Sequence, residues 1–560
     1  MTPLLLMIAL SAQVPATDGR LTDIPNTDTH FTMPAYASRA DWEKRAAHLR
    51  KQILSSSGLL PLPHKTPLHP QVFGKIDRAD YTIEKVLIET LPGYYLGGNL
   101  YRPKGKTGPF PGIASPHGHW NYGRLEHTNL GSMPARGVNL ARQGYVVLIY
   151  DMVGYNDTMQ TPHGFGGPRE QLWGFGPLGL QLWNSIRVVD FLQSLPDVDA
   201  NKIGATGASG GGTQTFLLAA VDDRIKFTAP VNMISSIMQG GSPCENAPGL
   251  RFDTNNMELA ALTAPRPMLM VSATGDWTKN TLVEEYPSLR QIYRLYGAQE
   301  KLEAVQFDFP HNYNKESREA VYRYFAKHVL NAADPSEYKE RGFPVEPLQN
   351  MLALHNRTLP AGALTYEQIA DQWIDRARQQ FPDATPEQKR ERLLLAMGVE
   401  WPAKVAFTND GELRLSREGR GDLVTGIVKG PKPTAIVVHP DGAAKVPPME
   451  NSIALNVFQS RSQASKFFTA FNRADDANRV QDIVTAIAFL KQQGVNKPKL
   501  KCFGRAAIWC TFAAAVSDTP VDLDAPLGSF RGSDQDLIEQ FFIPGLQRAG
   551  GLAAANSLVR

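Results

Sequence analysis

Gly207-Ala208-Ser209-Gly210-Gly211 sets a serine among small residues, after a strand-like run, Lys202–Thr206, and before a helix-like run, Thr213–Ala220. Small neighbours let the backbone turn sharply and hold the serine in a strained conformation, its hydroxyl lifted above a sheet edge. A G-x-S-x-G at a strand-to-helix corner is the setting of a serine nucleophile. The same five letters also describe a glycine-rich turn, so the rest of the chain has to decide. A serine hydroxyl attacks a carbonyl only when a base takes its proton, and that base needs an acid to orient it. Asp276 follows the strand-like run Pro267–Ala273, and His311 follows Leu302–Phe309. Taken singly, Asp276 reads equally as a turn aspartate and His311 as a capping or core histidine. Serine, acid and histidine nevertheless come in the order, and at the strand ends, that a sheet-edge triad requires. Ser209, Asp276 and His311 are therefore the expected catalytic residues.

The oxyanion of a tetrahedral intermediate needs preorganised N–H donors. Gly210, just after the serine at a helix N-terminus, offers one. The loop Pro116-His117-Gly118-His119-Trp120 follows the run Pro111–Ser115 and offers the second, assigned to His119. Histidines at i and i+2 also suggest a metal. With no third Cys, His or carboxylate cluster nearby in sequence, neither a metal nor an organic cofactor is expected.

Asp151 closes the strand-like run Tyr145–Tyr150 and is placed to buttress the site. The segment Tyr155–Trp183 is rich in Gly, Pro, Trp and Phe without a period, as insertions that build pocket walls are. Trp120, Trp173 and Trp277 are aromatic faces that suit either a sugar ring or the core. Glu245 is a pocket carboxylate or second acid, or a brace for Arg251. Substrate-binding candidates are thus Trp120, Trp173, Glu245, Arg251 and Trp277.

The elements that must position these residues are legible as alternating runs. A helical pattern covers residues 38–55; strands follow at Tyr81–Glu89, Tyr94–Tyr101, Pro111–Ser115 and Tyr145–Tyr150, with a small-residue helix at Met133–Gln143. A helix over Leu180–Leu195 precedes the serine's strand. Strands at Ile225–Pro230, Pro267–Ala273 and Leu302–Phe309 and a helix at Lys315–Val329 complete the set. Such alternation predicts an α/β fold with a mostly parallel sheet covered on both faces. Prolines at 335, 344, 347 and 360 mark residues 331–365 as a linker.

Beyond it the first half repeats in weakened form. Arg479–Leu490 parallels Trp183–Leu192, Lys499–Ile508 parallels the serine's strand and corner, and Thr434–Gly442 parallels Gly112–His119. Any two strand-helix-strand units share some of this likeness. Ala506 stands where the second nucleophile would be, no histidine follows His439, and the chain stops before the strands that would carry an acid and a base. The second domain is expected to lack triad chemistry and to serve structure or substrate positioning. The expected boundaries are 1–16 signal peptide, 17–80 helical extension, 81–330 catalytic domain, 331–365 linker and 366–560 degenerate domain.

Totals bound the function classes. With 560 residues and a net charge of +3, the chain exceeds one core and has no electrostatic reason to bind nucleic acid or an anionic membrane. Its three cysteines, Cys244, Cys502 and Cys510, form neither a disulfide framework nor a zinc spacing and leave an odd thiol. The apolar run Leu4–Leu10, ending in Ser11-Ala12, has the form of a secretory signal and is too short to span a bilayer. Export to the periplasm or medium follows.

Residues 38–330 resemble bacterial acetyl-xylan-esterase-like α/β-hydrolases of the carbohydrate-esterase class. The likeness rests on the helix at Trp42–Leu54, Glu84-Lys85-Val86 before Leu100–Pro103, His117-Gly118-His119, Gly207–Gly211, Ala264–Pro267, Asp276-Trp277 and His311-Asn312-Tyr313. It implies an α/β-hydrolase fold and a serine esterase removing acyl groups, acetyl above all, from plant polysaccharides or their oligomers, with no cofactor. Ser209-Gly210-Gly211-Gly212 departs from the Ser-Gln-Gly-Gly of the cephalosporin-deacetylase branch, which leaves the substrate open. Three rivals remain. A glucuronoyl esterase would use Arg251 or Arg124 for a carboxylate. A prolyl-oligopeptidase-type peptidase usually carries a propeller that the segment before residue 80 cannot hold. A non-catalytic carbohydrate-binding protein would leave Ser209 unreactive.

Overall fold

The structure is a computed structural model that describes residues 14–559; most of the expected signal segment lies outside the described residues. Two compact units divide the chain. Of the described residues, one comprises 26–170 and 174–376; the other comprises 377–559, 14–25 and Gln171–Trp173.

The first unit is built on nine strands: β1 (Gln71–Asp77), β2 (Tyr81–Leu91), β3 (Tyr94–Pro103), β4 (Phe110–Pro116), β5 (Val146–Tyr150), β6 (Val198–Ala208), β7 (Ile225–Val231), β8 (Met268–Gly275) and β9 (Leu302–Pro310). Their order is β1-β2-β3-β5-β4-β6-β7-β8-β9. The first three pair antiparallel and β3 meets β5 antiparallel, while β5 through β9 run parallel. β5 reads Val-Val-Leu-Ile-Tyr and is buried throughout, as a central strand covered on both faces must be. β1 escapes sequence reading because it is an edge strand, half exposed and without clean alternation.

Helices cover both faces. α1 (Arg39–Ser56) starts where the Ser38 side chain accepts from the Asp41 amide, and it buries Trp42, Leu49 and Ile53 along one stripe. α2 (Met133–Gln143) is capped by Ser132 and stopped by Gly144 in the left-handed region. α3 (Pro177–Ser194) and α4 (Gly210–Val221) are buried almost all round, and α5 (Lys315–His328) packs on the face of β7, β8 and β9. This is the α/β-hydrolase arrangement. Residues 331–365 do not hang free as a linker would. Asn99 and Arg124 donate to Met351 O, and the Asp157 carboxylate accepts from the Ala353 and Leu354 amides (2.8 and 2.9 Å).

The second unit repeats the plan with seven strands: β10 (Val405–Asn409), β11 (Leu413–Arg417), β12 (Val424–Lys429), β13 (Ala435–Val438), β14 (Ser452–Asn456), β15 (Lys499–Cys502) and β16 (Asp522–Asp524). Their order, β10-β11-β12-β14-β13-β15-β16, is the permutation seen from β1 to β7, with the same parallel and antiparallel pairings. Among the described residues nothing in this sheet corresponds to β8 and β9. Its corner between β15 and helix Ala506–Val516 differs by one position from the sequence reading. Gly504 takes the left-handed turn (φ 51°), and Arg505, not Ala506, occupies the N-cap in an ordinary helical conformation. A disulfide joins Cys502 to Cys510 across that corner, which leaves Cys244 as the free thiol.

Candidate active site

Ser209 is the N-cap of α4 at φ 59° and ψ −127°, a conformation that costs a side chain on the order of 1–3 kcal/mol. The surroundings impose it: its amide donates to Val231 O (3.1 Å) and its carbonyl accepts from the Thr213 amide (3.0 Å). Two glycines let the loop after β4 press onto this corner. A Cβ at Gly207 would lie 2.5 Å from Pro116 O, and one at Gly211 would lie 2.7 Å from His117 O. No larger residue fits either place.

Asp276 and His311 come together at the ends of β8 and β9. His311 Nδ1 lies 2.8 Å from Asp276 Oδ2, while Asp276 Oδ1 accepts from the Thr278 amide (2.7 Å) and the Thr278 hydroxyl (2.5 Å). The Asp276 side chain is only 2% exposed, against 26% for His311. With Nδ1–H given to the carboxylate, Nε2 carries the lone pair, and it is buried without a hydrogen-bond partner. No hydrogen bond therefore links Nε2 to Ser209 Oγ.

Two indoles border the imidazole: Trp277 with ring centroids 4.3 Å apart, and Trp120 at 6.4 Å with its plane nearly parallel to the imidazole (19°). Gly118 lies between Trp120 and the serine, for a Cβ there would sit 3.1 Å from Ser209 Cβ and 3.2 Å from Trp120 Nε1. Both indole N–H groups are buried and unpartnered.

The proposed oxyanion donors are also adjacent. A Cβ on Gly210 would strike His119 Cε1 at 2.6 Å, so the His119 ring rests on the first turn of α4. His117 has another task. It is fully buried, its Nδ1 donates to Gly118 O (2.6 Å) and its Nε2 accepts from the Met152 amide (2.9 Å). Burial pushes its pKa down to about 3, so it stays neutral and ties the loop after β4 to the loop after β5.

The remaining candidates separate. Glu245 accepts from the Gly241 and Ser242 amides (2.8 and 3.0 Å) and organises the loop that carries Cys244; burial raises its pKa. Arg251 is buried and donates to Asn256, Asn246 and Gln239 O, and burial lowers its pKa to about 9. Arg124 is enclosed by Asp151, Asp157 and Asn99, so neither arginine offers an open face to a carboxylate. Asp151, whose pKa burial pushes up to about 6, is paired with Arg124 and accepts from the Asp157 amide (3.0 Å). Trp173 is not among the residues gathered here: it belongs with the C-terminal unit, where its indole donates to Asp534 (3.0 Å).

One grouping was not legible in sequence. His119 Nε2 lies 3.1 Å from His163 Nε2 and 3.2 Å from Cys244 Sγ, and these three donors are all within 4.8 Å of one another. The two partners of His119 sit 44 and 125 residues away from it. No local spacing could have found them.

Among known proteins, no family model matches the chain. A Bacillus subtilis (strain 168) protein called "Putative hydrolase YtaP" is 26% identical over 251 residues, 41% of this chain and 81% of that protein. A glucuronoyl esterase from Solibacter usitatus overlaps at 16% identity and a TM-score of 0.41, over 55% of this chain and 100% of that one. The solved structure of methylesterase BT1017 is 31% identical with a TM-score of 0.51, over 62% of this chain and 78% of that one. That identity, over more than two thirds of the solved relative, makes this chain a member of the carbohydrate-esterase family of α/β-hydrolases.

Proposed function

We propose that the first unit is a serine esterase acting on carbohydrate esters through an acyl-enzyme. The observation that carries this reading is the His311 imidazole, bonded to a buried carboxylate through Nδ1 and without a hydrogen-bond partner at Nε2, together with the strained backbone of Ser209 at the N-cap of α4. In the proposed mechanism Ser209 Oγ attacks the ester carbonyl as His311 Nε2 takes its proton. The Gly210 and His119 amides receive the oxyanion, and neither donates elsewhere among the described residues. His311 then returns the proton to the leaving alcohol, Asp276 holds its tautomer, and water releases the acyl group. Formation of a Ser209–His311 hydrogen bond on substrate binding is part of this proposal, since such bonds tighten in the complex.

Acetyl esters of a plant polysaccharide or oligosaccharide are the first substrate class. The second is a methyl ester of a sugar acid, favoured by the relative named a methylesterase. Trp120 and Trp277 are the proposed sugar-facing rings, because their indole N–H groups await an acceptor beside the imidazole. Secretion fits the Cys502–Cys510 disulfide, which persists in oxidising compartments; no helix among the described residues is long and apolar enough to cross a membrane. The second unit, with Arg505 at its relaxed corner, is proposed to be non-catalytic.

A fluorophosphonate should label wild-type protein at Ser209 and leave Ser209→Ala unlabelled. Rates on p-nitrophenyl acetate, acetylated xylan, a uronate methyl ester and a peptide amide then rank the substrates. Absence of labelling together with no ester turnover would reject the enzyme reading in favour of a binding protein.

A further inference from the structure

We infer that His119, His163 and Cys244 form a binding site for one zinc-class divalent cation beside the nucleophile corner. The donors come from three loops: after β4, after β5 and after β7. They point their ligand atoms at one another, with His119 Nε2 3.1 Å from His163 Nε2 and 3.2 Å from Cys244 Sγ. Around a tetrahedral zinc with Zn–N near 2.0–2.1 Å and Zn–S near 2.3 Å, the corresponding edges are about 3.3 and 3.5 Å. Both edges at His119 are within a few tenths of an ångström of that geometry, and the third pair, His163 Nε2 and Cys244 Sγ, lies within 4.8 Å.

The outer shell agrees with that use. His163 Nδ1 lies 2.7 Å from Val153 O, so its proton belongs on Nδ1 and the Nε2 lone pair faces the cluster. A histidine ligand anchored through its other nitrogen to a carbonyl is the usual support for a bound metal. Tyr155 packs edge-on against the His163 ring and against His117, which holds the imidazole in place. The Ser242 hydroxyl, 3.2 Å from His163 Nε2 and 3.5 Å from Cys244 Sγ, is a neutral oxygen within reach of the fourth position. His119 is exposed while Cys244 is fully buried, so the ion has an entry side and a closed floor.

Thiolate, two imidazoles and a hydroxyl or water suit zinc and exclude magnesium or calcium, which take oxygen donors. Binding converts the Cys244 thiol to a thiolate, releasing one proton to solvent for each ion taken up. The bound ion fastens the loop that carries the His119 amide to the insertion after β5. None of the three ligands belongs to the Ser209–Asp276–His311 set, so this inference and the esterase proposal can fail separately.

The test uses the full chain, stripped with chelator and titrated with Zn2+ or Co2+. One equivalent should bind. Cobalt should give a near-ultraviolet thiolate charge-transfer band, and X-ray absorption of the zinc form should require one sulfur neighbour. Cys244→Ser should abolish the band, His163→Ala should weaken binding at least ~100-fold, and Ser209→Ala should bind as wild type does. The absorption measurement needs no variant, so a misfolded Cys244→Ser cannot obscure the result. A zinc shell without sulfur, binding below a tenth of an equivalent, or unchanged affinity in folded Cys244→Ser and His163→Ala would overturn the assignment.

Discussion

Replacing Asp276 by Asn should leave the fold intact and stop the reaction. The two side chains are nearly isosteric, so the outcome turns on where the amide oxygen goes. Asp276 Oδ1 accepts from both the Thr278 amide and the Thr278 hydroxyl, while Oδ2 faces His311 Nδ1 at 2.8 Å. The asparagine oxygen stays with Thr278, because the flipped rotamer would aim an NH2 group at a fixed backbone N–H and leave it unsatisfied, at a cost of about 1–3 kcal/mol. The NH2 group then donates to His311 Nδ1. That drives the imidazole proton onto Nε2, where it blocks acceptance from the Ser209 hydroxyl. A wrong-tautomer histidine of this kind lowers kcat by about 10⁴, which is about 5.4 kcal/mol of transition-state stabilisation at 1.36 kcal/mol per decade. KM should move less than about threefold, since Asp276 is buried away from substrate. Steady-state hydrolysis of p-nitrophenyl acetate measures both constants, with thermal melting as the folding control. A variant that melts like wild type and keeps kcat within tenfold would refute the reasoning. Asp276 would then be a loop aspartate serving Thr278 alone.

Three further outcomes follow from buried charge and covalent closure. His117 has a folded pKa near 3 against about 6.5 unfolded, so the stability it supports is complete above 6.5 and is lost as pH falls towards 3. The loss amounts to roughly 4–5 kcal/mol, and urea midpoints of wild type and His117→Asn should converge on acidification; parallel curves from pH 7 to 4 would contradict this. Arg124→Ala strands the Asp151 and Asp157 carboxylates without their cation and should cost about 3–5 kcal/mol in urea unfolding, with a cost under 1 kcal/mol counting against the buried triad. Replacing Cys502 and Cys510 by Ser opens a covalent loop with a sequence separation of 8, and should cost the C-terminal unit about 2–3 kcal/mol; equal melting of oxidised and reduced protein would exclude a stabilising role.

Much of the candidate site is readable before folding. Ser209 announces itself through Gly207, Gly210 and Gly211, and Asp276 and His311 through the apolar runs that precede them. Strand periods, helix caps such as Ser38 and Ser132, and the order of elements are local properties. They fix which residues leave the sheet edge and in what sequence. The second unit's descent from the same plan is legible for the same reason. Its corner reads one residue late in sequence because Gly504, one residue before the Arg505 N-cap, takes the left-handed turn that the N-cap Ser209 itself takes in the first unit.

Other features depend on which distant loops meet. That His163 and Cys244 face His119, that Trp173 sides with Asp534, and that residues 331–365 are laced to Asp157 and Arg124 leave no trace at short range. Period and order come from the backbone's own geometry, which each segment expresses alone. Convergence comes from burial summed over the whole sheet and its covering helices, so it exists only after the chain has packed.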